Sequence, residues 1–131
     1  MRAKKTVSKK KKVNVVVSER GRVYINATFN NTMVTVTNNT GDVVAWSSSG
    51  AKGFKGTRKS TPYAGGLAVE DAVKKAMEAG ITMVDVFIKG PGPGRDSGLR
   101  SVRGAGLSIM SISDITPIPH NGPRAKKKRR V

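Results

Sequence analysis

The chain carries a run of positive charge at each end and a nearly balanced stretch between them. Residues 1–12 hold Arg2, Lys4, Lys5, Lys9, Lys10, Lys11 and Lys12 without an acid. Residues 116–131 hold Arg124, Lys126, Lys127, Lys128, Arg129 and Arg130, again without one. Like-charge runs that lack apolar residues bury nothing to offset the entropy of ordering them. They are expected to be disordered basic tails, over 1–14 and 119–131, around a single α/β domain at 15–118. Those tails take 13 of the 25 Lys and Arg residues; the other 12 share the body with all 8 acids, leaving it at +4. A body so balanced can fold as an ordinary globule.

The whole chain, at +17, repels itself and is best tolerated beside a polyanion. Nucleic acid is therefore the expected partner. A nuclear address would account for Lys126–Arg130 alone, but not for two tails on one small domain. No run approaches the roughly 20 apolar residues of a spanning helix, so no membrane partner is expected. There is no cysteine, which removes disulfides, thiolate nucleophiles and Cys-based metal sites. No apolar stretch precedes Val13, so no signal peptide is expected, and the compartment is read as the cytoplasm or an organelle interior.

Residues 22–29 alternate, with Val23, Ile25, Ala27 and Phe29 on one face and Tyr24, Asn26 and Thr28 on the other, which predicts a half-buried strand. Asn30 and Asn31 turn the chain. Strands over 33–37, with Val34 and Val36 inward, and over 42–47 then complete an antiparallel meander. Ser48–Thr61 has no apolar periodicity and reads as a loop. Thr61–Pro62 starts a helix whose inward residues are Val69, Ala72, Val73, Ala76 and Met77, and Gly80 ends it. Residues 81–88 are apolar on both faces, as in a strand flanked on both sides. After the Gly90–Gly94 turn, a short helix from about Asp96 directs Leu99, Val102 and Gly106 inward. A last strand covers 107–115, with a bulge where alternation slips between Ile109 and Ile112. The order β-β-β-α-β-α-β implies a mixed five-stranded sheet with helices packed on it, as in ribonuclease-H-like folds.

That order requires a nuclease to be considered. Metal-dependent nucleases need several carboxylates converging on two cations. The first strand offers none, Glu70 and Asp71 diverge around a helix, and Asp85 and Asp114 stand on different strands. His120, the single histidine, has no partner for metal binding or nucleophile activation. Neither glycine-rich segment has nucleotide-loop spacing: Gly50–Lys59 departs from G-x-x-x-x-G-K-[ST] and Gly90–Gly94 from G-x-G-x-x-G. No enzyme, metal, cofactor or small-molecule substrate is expected.

The same segments suit RNA. Lys52, Lys55, Arg58 and Lys59 are interleaved with glycines, which let backbone approach phosphates closely. Phe54 either stacks on an unpaired base or folds back on the core. Gly92 and Gly94 precede a helix N-terminus, where backbone N–H groups and the helix dipole favour an anion, with Arg95, Arg100 and Arg103 adding charge nearby. Trp46 and Tyr24 read as core aromatics before stacking platforms. Asn121–Gly122 is expected to deamidate, because glycine lets its backbone nitrogen reach the Asn amide.

Phe29-Asn30-Asn31-Thr32, Trp46-Ser47-Ser48, Gly53-Phe54-Lys55-Gly56, Lys59-Ser60-Thr61-Pro62, Lys89–Arg95 and Asp114–Gly122 stand in one order and spacing. In these, and from about residue 20 onward, the chain resembles the family of the eleventh small-subunit ribosomal protein, in its bacterial or organellar form. The resemblance implies a structural constituent of the small ribosomal subunit, placed on the platform and bridging separate rRNA helices near the cleft for the messenger leader–rRNA duplex. It implies the seventh and eighteenth small-subunit proteins as neighbours, with initiation factor three close by. It also adds Asn30, Asn31, His120 and Asn121 to the rRNA-binding residues, beside the cations already named, from Lys9, Lys10, Lys11 and Lys12 to Arg124, Lys126, Lys127, Lys128, Arg129 and Arg130. Bacterial members usually have Glu-Ser-Ala where this chain has Asp96-Ser97-Gly98, and Gly98 should weaken the short helix by about 1 kcal/mol against Ala. The alternatives are a nucleic-acid-compacting basic protein and a nuclease of the same fold.

Overall fold

A computed structural model describes residues 19–130. The N-terminal tail, with Lys9, Lys10, Lys11 and Lys12, lies outside the described residues. The strands are β1 (Arg20–Ala27), β2 (Thr32–Asn38), β3 (Val43–Ser48), β4 (Met83–Lys89) and β5 (Ser108–Asp114). They form one sheet in the order β3-β2-β1-β4-β5. β1, β2 and β3 pair antiparallel; β4 pairs parallel with β1 and with β5. The crossovers run through α1 (Pro62–Ala79) and α2 (Gly94–Gly104). This is the β-β-β-α-β-α-β order expected from the sequence. Among the described residues, a 3-10 turn at Gly56–Ser60 is the one element that expectation lacked.

The local signals act as anticipated in α1. The Thr61 hydroxyl accepts the Ala64 N–H at 3.3 Å, and Pro62 opens the helix where an amide hydrogen would have no partner. Gly80, at φ +111°, closes it by donating to the Ala76 and Met77 carbonyls. Val69, Ala72, Val73 and Ala76 are buried, whereas Met77 is exposed. Ala64, Gly65, Ala68, Ala72 and Ala76 give the buried face of α1 very short side chains. The helix can therefore lie close to the sheet, and the layer between them holds Val23, Ile25, Val34, Val36, Val84, Val86 and Ile88. No aromatic ring belongs to this core, which corrects the reading of Trp46 as a core residue: it is 64% exposed.

Three further boundaries differ. Phe29 was expected inward, but it is 71% exposed. β1 ends at Ala27, because the Thr28 N–H donates to the Asn31 carbonyl at 2.8 Å and its hydroxyl accepts from the Asn30 and Asn31 amides. The turn thus begins before Phe29 and swings it out. α2 starts at Gly94, two residues early, and Gly106 lies beyond it, exposed and at φ +101°. Gly98, expected to weaken α2, faces inward: a Cβ there would meet Val69 and Ile25 side chains at 3.1 and 3.3 Å. Its missing side chain is what lets α2 close on α1 and β1. The irregularity in β5 falls as expected, with Met110 skipped between Val84–Ile109 and Asp85–Ser111.

Candidate nucleic-acid interface

β1, β3, β4 and β5 run in one direction, so their carboxyl ends share one rim of the sheet. The crossover helices return antiparallel, which brings the N-termini of α1 and α2 to the same rim. Four segments therefore meet there: the 28–31 turn, the 49–61 loop, the 90–93 turn and the chain leaving β5 at Asp114. In open α/β sheets this rim is the usual place for ligands. Residue 19 enters at the opposite rim, so the chain joins the fold at one end and leaves it at the other.

The basic loop is a built structure. Lys52 N–H donates to the Ser48 carbonyl at 3.2 Å, Ala51 N–H to the Ser48 hydroxyl at 3.1 Å, and Phe54 N–H to the Ser49 carbonyl at 3.3 Å. The 3-10 turn follows, anchored where the Arg58 carbonyl accepts both the Thr61 hydroxyl at 2.8 Å and its N–H at 3.3 Å. Lys52 reaches Asp71 on α1 at 3.6 Å, and Asp71 also pairs with Lys75 at 3.1 Å. Phe54 is half-buried and meets the Tyr63 ring edge-on, with centroids 6.1 Å apart. Lys52, Phe54, Lys55 and Arg58 line a hollow of about 330 Å³. Lys55 and Arg58 are exposed and Lys59 half-exposed, so the loop presents a cluster of cations around an aromatic floor.

The glycine turn is built differently from the anion site anticipated. Gly92 is buried and donates its N–H to the Ala27 carbonyl at 2.9 Å, so that donor is already engaged. Gly94 packs against Thr32, and Gly65 of α1 approaches it closely. Both glycines act here through close packing at the rim. Arg95 is also engaged: it donates to the Gly90 carbonyl at 2.7 Å and to Asp114 at 2.8 Å. Asp114 further accepts the Thr116 hydroxyl at 2.6 Å and its N–H at 3.0 Å, while Gly90 N–H donates to the Thr116 hydroxyl at 3.1 Å. This knot fixes the point at which the C-terminal segment leaves the domain.

The Arg95 guanidinium, then Thr116, hold the Asp114 carboxyl well below the usual carboxylate range. Asp85 is lowered likewise, first by Arg20 and then by Ser111. A depressed folded pKa stabilises the fold above the unfolded value, about 3.9 for Asp, and that contribution fades as pH falls toward the folded value. In a carboxyl NMR titration, Asp114 should therefore titrate below about 3.9, and Arg95→Ala should move it upward. An unchanged midpoint in Arg95→Ala would show that the knot is not the cause.

Asn31 is used within its turn, its side-chain oxygen accepting the Thr32 N–H at 2.9 Å, while Asn30 is exposed. Beyond Thr116 the described chain has no helix or strand, and Arg124, Lys126, Lys127, Lys128, Arg129 and Arg130 are exposed throughout. His120 and Asn121 are exposed too, and Asn121 sits at φ +60°, alone among described non-glycine residues in the left-handed region. An exposed Asn followed by Gly outside regular structure should deamidate. The peptide spanning Asn121 should gain about one mass unit on ageing free of RNA at mildly alkaline pH. An unaltered mass after long incubation would count against it.

Arg100 and Arg103 are not brought to the rim. They lie six and nine residues along α2 from Gly94, roughly 9 and 13 Å away at 1.5 Å per residue. They flank a separate groove of about 580 Å³ between α2 and β5, floored by Leu99, Leu107, Ile109 and Ile112. Two exposed aromatics at the rim were missed by the sequence reading: Phe29 and Tyr63, each 71% exposed. The signal for Tyr63 was its place in the first turn of a helix, ahead of the inward-facing residues. Among the described residues no three acids or histidines stand close enough to hold a metal, and no helix is long and apolar enough to cross a membrane.

A family model described as ribosomal protein S11 matches residues 21–130, nearly all of the folded body and the C-terminal segment.

Proposed function

Because the chain belongs to the ribosomal protein S11 family, we propose that it is a non-catalytic rRNA-binding constituent of the small-subunit platform. In this reading it bridges separate rRNA helices near the cleft for the messenger leader–rRNA duplex. The seventh and eighteenth small-subunit proteins are its neighbours and initiation factor three binds close by, on ribosomes of the cytoplasm or of an organelle interior. The observation that carries the reading is the rim, which holds the hydrogen-bonded Lys52–Lys59 loop at its β3 edge and the departure of the exposed basic C-terminal segment at its β5 edge, on a body of +4. A chain that joins its fold at one rim and leaves at the other, with cations beyond both, suits bridging between RNA segments. The acids support no competing nuclease: Asp71, Asp85 and Asp114 are each tied to a Lys or Arg.

The test is competition. The chain should prefer folded small-subunit rRNA to duplex DNA of equal length and should leave an RNA–DNA hybrid intact in Mg²⁺. Equal preference would favour a general compacting protein, and cleavage would favour a nuclease. Within this reading the loop cations act on phosphates and not on base edges. Lys55→Ala should then weaken specific and non-specific RNA by the same factor. A loss confined to the cognate rRNA would assign Lys55 to base readout.

A further inference from the structure

Both helices pack on one face of the sheet, and among the described residues no helix or strand covers the other. Cross-strand register arranges the open face in rows. The middle row runs Trp46, Thr35, Tyr24, Phe87 and Ser113 across β3, β2, β1, β4 and β5. The Tyr24 and Phe87 rings are stacked, with centroids 5.2 Å apart and planes 16° from parallel. Trp46 continues the row with only the short Thr35 between it and Tyr24.

That gap matches a flat guest. Adjacent strands lie about 4.8 Å apart, so Trp46 and Tyr24, two strands apart, are rooted roughly 9–10 Å from one another. A ring inserted between two others, at stacking centroid distances of about 4.5–5 Å from each, needs that span. A hollow of about 300 Å³ opens beside the gap, lined by Tyr24, Met33, Thr35 and Lys89 among others.

Charge selects the kind of guest. The only acid in these rows is Asp85, and it is held by Arg20 at 3.1 Å and by the Ser111 hydroxyl at 2.8 Å. Arg22 lies two residues before Tyr24 on β1, and Lys89 two residues after Phe87 on β4, each on the open face. Cations above and below a row of rings suit a strand that carries phosphates on one side and bases on the other.

We propose that the open sheet face is a stacking platform for unpaired bases of a single-stranded RNA segment, with one base seated over Thr35 between Trp46 and Tyr24. The site is separate from the cationic rim, and it rests on the reading of the chain as an RNA-binding protein. It would act on bases where the rim acts on phosphates, so the two sites would hold different features of one folded RNA.

Trp46 is the only tryptophan in the chain, so its fluorescence reports on this face alone. The full chain is titrated with a short single-stranded oligoadenylate and, separately, with inorganic polyphosphate of equal charge. Binding is followed independently by filter retention, and small-subunit rRNA is tested the same way. Both polyanions should bind through the cations, but only the oligoadenylate should quench Trp46. Tyr24→Ala should weaken oligoadenylate by about 5- to 150-fold, the range for one stacked base, and leave polyphosphate unchanged, while Tyr24→Phe restores affinity. Should Tyr24→Ala fail to fold, the contrast between the two ligands in the unaltered chain still decides. Quenching by both ligands alike, or by neither, overturns the platform. If rRNA is nonetheless retained, RNA binding stands and the face is left for a protein neighbour. If rRNA is not retained either, the RNA-binding reading falls with it.

Discussion

Affinity of the full chain for small-subunit rRNA should fall about 10³- to 10⁵-fold between 50 and 200 mM salt, somewhat less where the contacted RNA is single-stranded. Each phosphate neutralised by Lys or Arg releases condensed counterions, and the gain in their entropy shrinks as bulk salt rises. Six to ten such contacts, on the order needed for that loss, are well within what the chain can supply. The exposed residues Arg124, Lys126, Lys127, Lys128, Arg129 and Arg130 follow the exit from β5, and Lys55 and Arg58 of the loop add to them at the β3 edge of the same rim. The body contributes little attraction of its own at +4. A chain truncated after Thr116 should therefore show a shallower slope of log affinity against log salt. A nearly flat dependence in the full chain would remove the electrostatic account.

Gly92→Ala should be among the most damaging single substitutions, costing about 3 kcal/mol of stability or more. A Cβ at residue 92 would overlap the Thr28 carbonyl oxygen and lie 2.7 Å from the carbonyl carbons of Ala27 and Thr28. These atoms are backbone, and the Ala27 carbonyl is itself fixed by the Gly92 N–H. Neither side can yield without opening the contact between the 90–93 turn and the end of β1. Gly104→Ala provides the comparison, since a Cβ there meets nothing within 4 Å and Ala is the better helix residue. Chemical denaturation should show a large fall in midpoint for the first and little or no change for the second. Matching midpoints would mean that the turn tolerates a side chain, and that its glycines serve something other than packing.

This outcome bears on what sequence alone can say about a glycine. The sequence places Gly92 and Gly94 just before a helix N-terminus, where free backbone N–H groups favour an anion. The structure shows these glycines bare because another part of the same chain fills the space. Nothing local in Gly90–Gly94 distinguishes the two, since the neighbour at Thr28 is more than 60 residues away in the chain. Gly98 shows the same blindness: its cost in an isolated helix was legible, but its place against Val69 and Ile25 was not.

Elements with strong periodicity were legible almost to the residue. Val23, Ile25, Val34 and Val36 alternate because one face of their strands is buried, and α1 is bracketed by Thr61–Pro62 and Gly80. The aromatics were not legible. Phe29 obeys the alternation of β1, yet a side-chain hydrogen bond at Thr28 ends the strand two residues earlier. Trp46 and Tyr24 were assigned to the core because cores usually need rings. Here the small-residue face of α1 leaves no room for them, and the rings stand on the open side instead. The charge pattern, by contrast, needs no tertiary structure to read, which is why the class of partner was plain before the site was.

Sedimentation of a tagged full chain with ribosomal particles in high salt tests the central claim most directly. Simple counterion-driven association should be lost there, whereas a chain built into the small subunit is held by many contacts at once. The chain should remain with the small-subunit peak, in a fixed ratio to its rRNA, after washing at a salt concentration that strips it from duplex DNA. Release into the soluble fraction under the same wash, or an amount unrelated to the small-subunit peak, would contradict its role as a constituent of that particle.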